Sequence, residues 1–222
     1  MLLPASTVGK KIFMAITGQV LILYVIGHVL GNSTIYFDKA INAYAAGLHA
    51  FPALLWAVRS VLIIVFGLHV YLGIVLKLEN NAAKPQTYAA PHYLKATFAG
   101  RNMIWTGVLI FSFLVYHLLH FTLQITNPDV AALRNPDALG RPDVFMMVVR
   151  SFQDSGITLA YTVSLAALLL HLSHGIHSSF QTWGLSSDTM LPVMEKTGAL
   201  ASLALFFLYI SIPAVIMLGI LR

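Results

Sequence analysis

Histidine is the residue type that sets the problem in this chain. Nine are present, and seven of them, His28, His69, His117, His120, His171, His174 and His177, fall inside long apolar stretches where a polar ring is costly. An imidazole can ligate a metal, exchange protons near neutral pH or hydrogen-bond a neighbouring helix. Any one of the seven could do only the last; seven together point to a working constellation. Cysteine is absent, which excludes disulfides, thiolate-held iron–sulfur clusters and thioether-linked cofactors from this chain.

The spacing of four of these histidines repeats. Thr17-Gly18 is followed by His28 and Thr106-Gly107 by His117, each histidine ten residues after its glycine. A second signature follows each: His69 with Gly73, and His171 with Gly175, both at i, i+4. The separations, 41 residues from His28 to His69 and 54 from His117 to His171, differ by a length that loop 127–154 can absorb. The first two helical segments therefore resemble the next two, as an internal repeat does.

The elements that position these residues follow from composition. Apolar residues make up 58% of the 222 and charged residues 9%, against about 25% charged in a soluble domain, so an ordinary soluble globule is excluded. Five segments have the roughly 20 apolar residues that a bilayer core requires: 12–31, 53–76, 102–126, 156–180 and 197–221. The fold expected is an all-α integral membrane bundle of five transmembrane helices with an internal two-helix repeat, a single transmembrane domain over residues 1–222. The first span is longer than a signal-peptide core and is expected to be retained. The turn-rich loop 127–154 reads as a connector with room for a short surface helix. The net charge of +5 comes from basic residues flanking the spans, which is membrane topology and not nucleic-acid binding. Lys10, Lys11, Lys77, Lys84, Lys95, Arg101 and Lys196 share one side; Lys39, Arg59, Arg134, Arg141, Arg150 and Arg222 share the other. All but one of the lysines lie on the N-terminal side, so the N-terminus is read as cytoplasmic.

Counting along the spans sorts the four repeated histidines into two layers. His28 and His117 lie roughly 24 and 22 Å from the inner ends of their helices, His69 and His171 roughly 10 and 14 Å, which sets the layers roughly 10 Å apart. Helix one thus pairs with three and helix two with four. Two histidines facing each other across a bundle are what a six-coordinate haem iron needs. Gly73 and Gly175 share a face with their histidines and would leave room for a macrocycle; Gly18 and Gly107 are expected to admit the other macrocycle. His120 and His174 point about 60° away from the ligand direction, so either could replace its neighbour in a shifted register; they and His177 are read first as hydrogen-bonding groups. His92 is read as solvated.

Thr17-Gly18…His28, His69…Gly73, Thr106-Gly107…His117 and His171…Gly175, with Trp183-Gly184 after it, resemble the dihaem cytochrome b subunit of succinate:quinone oxidoreductases, the membrane anchor of succinate dehydrogenases and fumarate reductases. The resemblance covers most of the chain. It implies two b haems, one held by His28 and His117 at the outer side and one by His69 and His171 at the inner side. It implies a flavoprotein and an iron–sulfur subunit docked on the cytoplasmic face of a bacterial or archaeal membrane, and electron transfer between them and a quinone, menaquinone in the first instance. No carboxylate chemistry would belong to this chain. No Asp or Glu lies in any span, so a carboxylate relay through the bilayer is not evident. Asn42, Tyr44 and His49, with Asp38 beside them, are nominated for a quinone pocket near the outer haem. A competing inner pocket lies near Lys10, Lys95 and Arg101. Two other functions fit several membrane histidines: the cytochrome b subunit of a membrane hydrogenase or formate dehydrogenase and, in a different class, a histidine-lined transporter. A passive anchor without cofactors would leave the four matched histidines unexplained.

Overall fold

The computed structural model describes residues 6–37, 39–83, 97–185 and 187–222; Asp38, Lys84, His92 and Lys95 lie outside the described residues. Eight α-helices and no strand occur among the described residues: α1 (Thr7–Asn32), α2 (Ala40–His49), α3 (Pro52–Ala82), α4 (Phe98–Arg101), α5 (Met103–His117), α6 (Val144–Gln153), α7 (Ser155–Thr182) and α8 (Met190–Met217). Five are long and apolar enough to cross a membrane: α1 with the short 3₁₀ turn that ends it, α3, α5 with its final wide turn, α7 and α8. The chain is an all-helical integral membrane bundle.

Local chemistry sets the helix ends. The Ser6, Asp143 and Asp154 side chains accept hydrogen bonds from Gly9, Met146 and Ile157 N–H, capping α1, α6 and α7. Pro52 starts α3, where its missing N–H costs nothing. α3 runs 31 residues, about 46 Å, which exceeds a hydrocarbon core of about 30 Å and carries it past the expected end at residue 76. Near its end Glu79 pairs with Lys10 of α1.

α1 packs on α3, α5 on α7 and α1 on α7, while α3 touches α5 more lightly. These contacts close a ring of four helices whose diagonals, α1 to α5 and α3 to α7, remain open for side chains. Phe66 and Phe111 stack at 6.1 Å across the lighter α3–α5 seam. α8 lies against α7, where Gly198 allows the approach: a methyl group there would stand 3.0 Å from the Ser173 carbonyl oxygen. Tyr209 of α8 donates to the Val25 carbonyl of α1 at 2.7 Å.

Two segments differ from expectation. Residues 40–49, read as part of a loop, form helix α2, entered through Lys39 in the left-handed backbone region (φ 59°). Residues 144–153, allowed for as a surface helix, form α6, which buries Phe145, Met147, Val149 and Phe152. With Ile35, Ile41, Tyr161, Ile212 and Ile216 it builds an apolar cluster across the end of the bundle far from the N-terminus. Asn42 ties α2 to this cap. Fully buried, it donates to Asp143 Oδ1 at 3.0 Å and Asp137 Oδ2 at 3.3 Å and accepts from the Phe145 N–H at 2.8 Å.

Candidate histidine site

The open diagonals are where the four repeated histidines meet. His28 of α1 and His117 of α5 face each other with ring centroids 5.9 Å apart and planes at 88°. His69 of α3 and His171 of α7 face each other at 6.3 Å and 63°. Two metal–imidazole bonds in line, plus the half-rings behind them, span about 6 Å between centroids. Both separations match that requirement. Among the described residues no three His, Cys, Asp or Glu gather into a metal-binding group; each diagonal brings two histidines together.

The Thr-Gly element of the repeat has a mechanical meaning at the pair nearer the N-terminal end. Thr17 Oγ1 lies 3.1 Å from His69 Nδ1, and Thr106 Oγ1 lies 3.1 Å from His171 Nδ1. The Thr17 hydroxyl donates its proton backwards along α1, to the Phe13 carbonyl at 2.8 Å or the Met14 carbonyl at 3.0 Å. Thr106 does the same towards Asn102 and Met103. With its proton turned to the backbone, each hydroxyl oxygen is free to accept from Nδ1–H, the tautomer that leaves Nε2 the lone pair a metal needs. The histidine ring lies on the glycine after each threonine: a Cβ on Gly18 would crowd His69 Cε1 at 3.3 Å, whereas one on Gly107 would touch His171 Cε1 at an ordinary 3.6 Å. At both glycines the neighbour is an imidazole of the near pair. Gly175 opens onto free space as expected, whereas Gly73 faces the tip of Met14 at 3.2 Å.

These bonds also correct the depth estimate. They place His69 and His171 level with Thr17 and Thr106, eleven residues before His28 and His117, so roughly 16 Å of helix separates the layers. Counting from span ends gave a shorter figure because ends taken as level, residues 12 with 76 and 102 with 180, are not level once His69 sits beside Thr17 and His171 beside Thr106.

The far pair is held differently. Tyr24 stacks on His28 at 5.4 Å, and the Asn32 amide donates to His28 Nε2 at 3.3 Å. Tyr161 OH sits 3.3 Å from His117 Nδ1 and 3.1 Å from His120 Nδ1. His120 is buried, and its other nitrogen meets Ser151 Oγ at 3.0 Å and the Asn127 amide at 3.3 Å. With both nitrogens engaged it is a brace joining α6 and α7. It lies in a wide helical turn, Leu118–Thr122, closed by the Leu123 N–H on the Leu118 carbonyl. That turn is absent from the sequence periodicity.

His174 packs against Gly100 of α4, and its Nδ1 is buried without a hydrogen-bond partner. His177 faces α8, its Nε2 3.7 Å from Glu195 Oε1. Of the residues nominated for a quinone, Asn42 is spent on the cap, His49 Nδ1 bonds the Ala45 carbonyl of its own helix at 2.8 Å, and the Tyr44 ring rests where a side chain on Gly31 would stand. Tyr44 and His49 are exposed, one helical turn or more from each other along α2. No protein-family model, curated protein or solved structure matches the chain.

Proposed function

We propose that this chain is the membrane-anchor cytochrome b subunit of a succinate:quinone oxidoreductase, carrying electrons between flavin and iron–sulfur subunits and a membrane quinone. The observation that carries the reading is the pair of facing histidines on each open diagonal, with the near pair preset by Thr17 and Thr106. Haem b, when bound, supplies a one-electron couple with no proton chemistry of its own. The residues do the rest. His69 and His171 present Nε2 lone pairs across the bundle, their rings fixed by hydroxyl acceptors and seated on glycine. His28 and His117 form the second pair, backed by Tyr24 and Tyr161. Apolar helices around both diagonals keep water away, which is how a protein tunes such a couple.

In this proposal the N-terminus is cytoplasmic, and the partner subunits dock at the end bearing Lys10, Lys11, Lys77, Arg101 and Lys196. The quinone, menaquinone in the first instance, binds beside His28 and His117, where Tyr44 can hydrogen-bond an oxygen and His49 exchange a proton. Asn42 serves there by holding α2 in place.

Pyridine haemochrome assay of the purified chain tests the reading: two b haems per chain are expected, and one or none rejects it. Co-purification of a flavoprotein with an iron–sulfur protein separates this function from the cytochrome b of a hydrogenase or formate dehydrogenase. A colourless protein would favour the histidine-lined transporter.

A further inference from the structure

At the end of the bundle far from the N-terminus, just past the wide turn of α5, the chain forms a groove of about 450 Å³ lined by Leu123, Gln124, Ile125, Pro128, Ala131, Leu133 and Arg134. It is a built feature. Gln124 turns the chain through the left-handed backbone region (φ 54°), and its Oε1 accepts from the Leu133 N–H at 3.1 Å, tying the two walls together. Asn135 closes the loop by donating to the Asp129 and Ala131 carbonyls, both at 3.0 Å, while Ala131 and Ala132 are buried as its anchor.

The lining is amphipathic in a specific way. Leu123, Ile125 and Leu133 are 58%, 62% and 69% exposed, although they sit at a membrane boundary where a ligand with an apolar body could cover them. The two arginines of the loop differ: Arg141 pairs with Asp137 at 2.8 Å, whereas Arg134 makes no ion pair among the described residues. Neither Asp129 nor Asp137, the acids either side of Arg134 in sequence, lines the groove. An uncommitted guanidinium above apolar walls at the interface selects an anionic head on an apolar tail. A quinone fits less well, because the lining offers no aromatic ring for stacking and no His, Tyr or carboxylate to pass protons.

We propose that this groove binds an anionic phospholipid, with Arg134 on the phosphate and Leu123, Ile125 and Leu133 along an acyl chain. None of the four paired histidines lines the groove, so this site does not depend on the haem reading. The test is native mass spectrometry of the intact chain, delipidated in detergent and titrated with phosphatidylglycerol, phosphatidylcholine or inorganic phosphate. Phosphatidylglycerol should bind about tenfold more tightly than phosphatidylcholine, a preference lost in Arg134→Gln and largely kept in Arg134→Lys. Inorganic phosphate alone should bind weakly, because it lacks the tail that Leu133→Asn would also deprive of its wall. Equal retention of the two lipids, or an unchanged preference in Arg134→Gln, overturns the proposal. So does phosphate binding as tightly as the lipid, which would make the site one for a soluble anion. Displacement of the lipid by a soluble menaquinone analogue, with quinone turnover lost in Arg134→Gln, would reassign the groove to quinone.

Discussion

A single hydroxyl on each half of the repeat decides which nitrogen its histidine presents. Replacing Thr17 by Val keeps the shape and removes the acceptor for His69 Nδ1, so occupancy of the near site should fall about tenfold or more, by the usual cost of losing an outer-shell partner. Thr17→Ser should restore it. Haem content and an optical redox titration read both, and a Thr17→Val variant with an unshifted potential would refute the positioning role. Asn42→Ala leaves the buried Phe145 N–H without its acceptor and removes one donor each from Asp137 and Asp143, which keep their other partners, and should cost about 1–3 kcal/mol in thermal unfolding. The Thr-Gly-His spacing was visible in the sequence. Its meaning was not, because whether Thr17 faces His69 depends on the rotation of α1 against α3, which periodicity leaves undetermined.

At the level of elements, the five long helices were legible because twenty apolar residues in a row admit few other structures. The short helices were less so: one was allowed for in loop 127–154 without bounds, and α2 was read as loop. α2 and α6 are ten residues each and are flanked by turn-forming residues, and their helicity comes from the buried contacts between them. Tyr44 of α2 rests over Gly31 of α1. Gly31→Leu should therefore push Tyr44 aside, lowering quinone-linked turnover while haem content holds; equal loss of both would indicate general unfolding. The cap also has an acid limit. The Arg141 guanidinium, helped by the Arg141 and Leu139 N–H groups, holds the Asp137 carboxyl down at about 2, below its ordinary 3.8. Its contribution is complete above the ordinary value and is lost as pH falls through about 2. Hydrogen exchange at residues 137–141 should rise over that window, and Asp137→Asn should abolish the pH dependence.

For the molecule as a whole, the two diagonals predict a pattern of paired losses. His69→Ala and His171→Ala should remove the same spectral component, and His28→Ala and His117→Ala the other. Loss of the near component in His28→Ala would show that the pairing runs along neighbouring helices instead. The threonine links join helices within one half of the repeat, α1 to α3 and α5 to α7. The histidine pairs join one half to the other, α1 to α5 and α3 to α7. This division of labour has a consequence for how the protein is made. As the chain emerges, the first hairpin can set His69 before the second exists, and the second can set His171 by the same local contact. What remains is to bring two finished hairpins face to face, and any group gripped from both sides acts as the clasp that makes their union permanent.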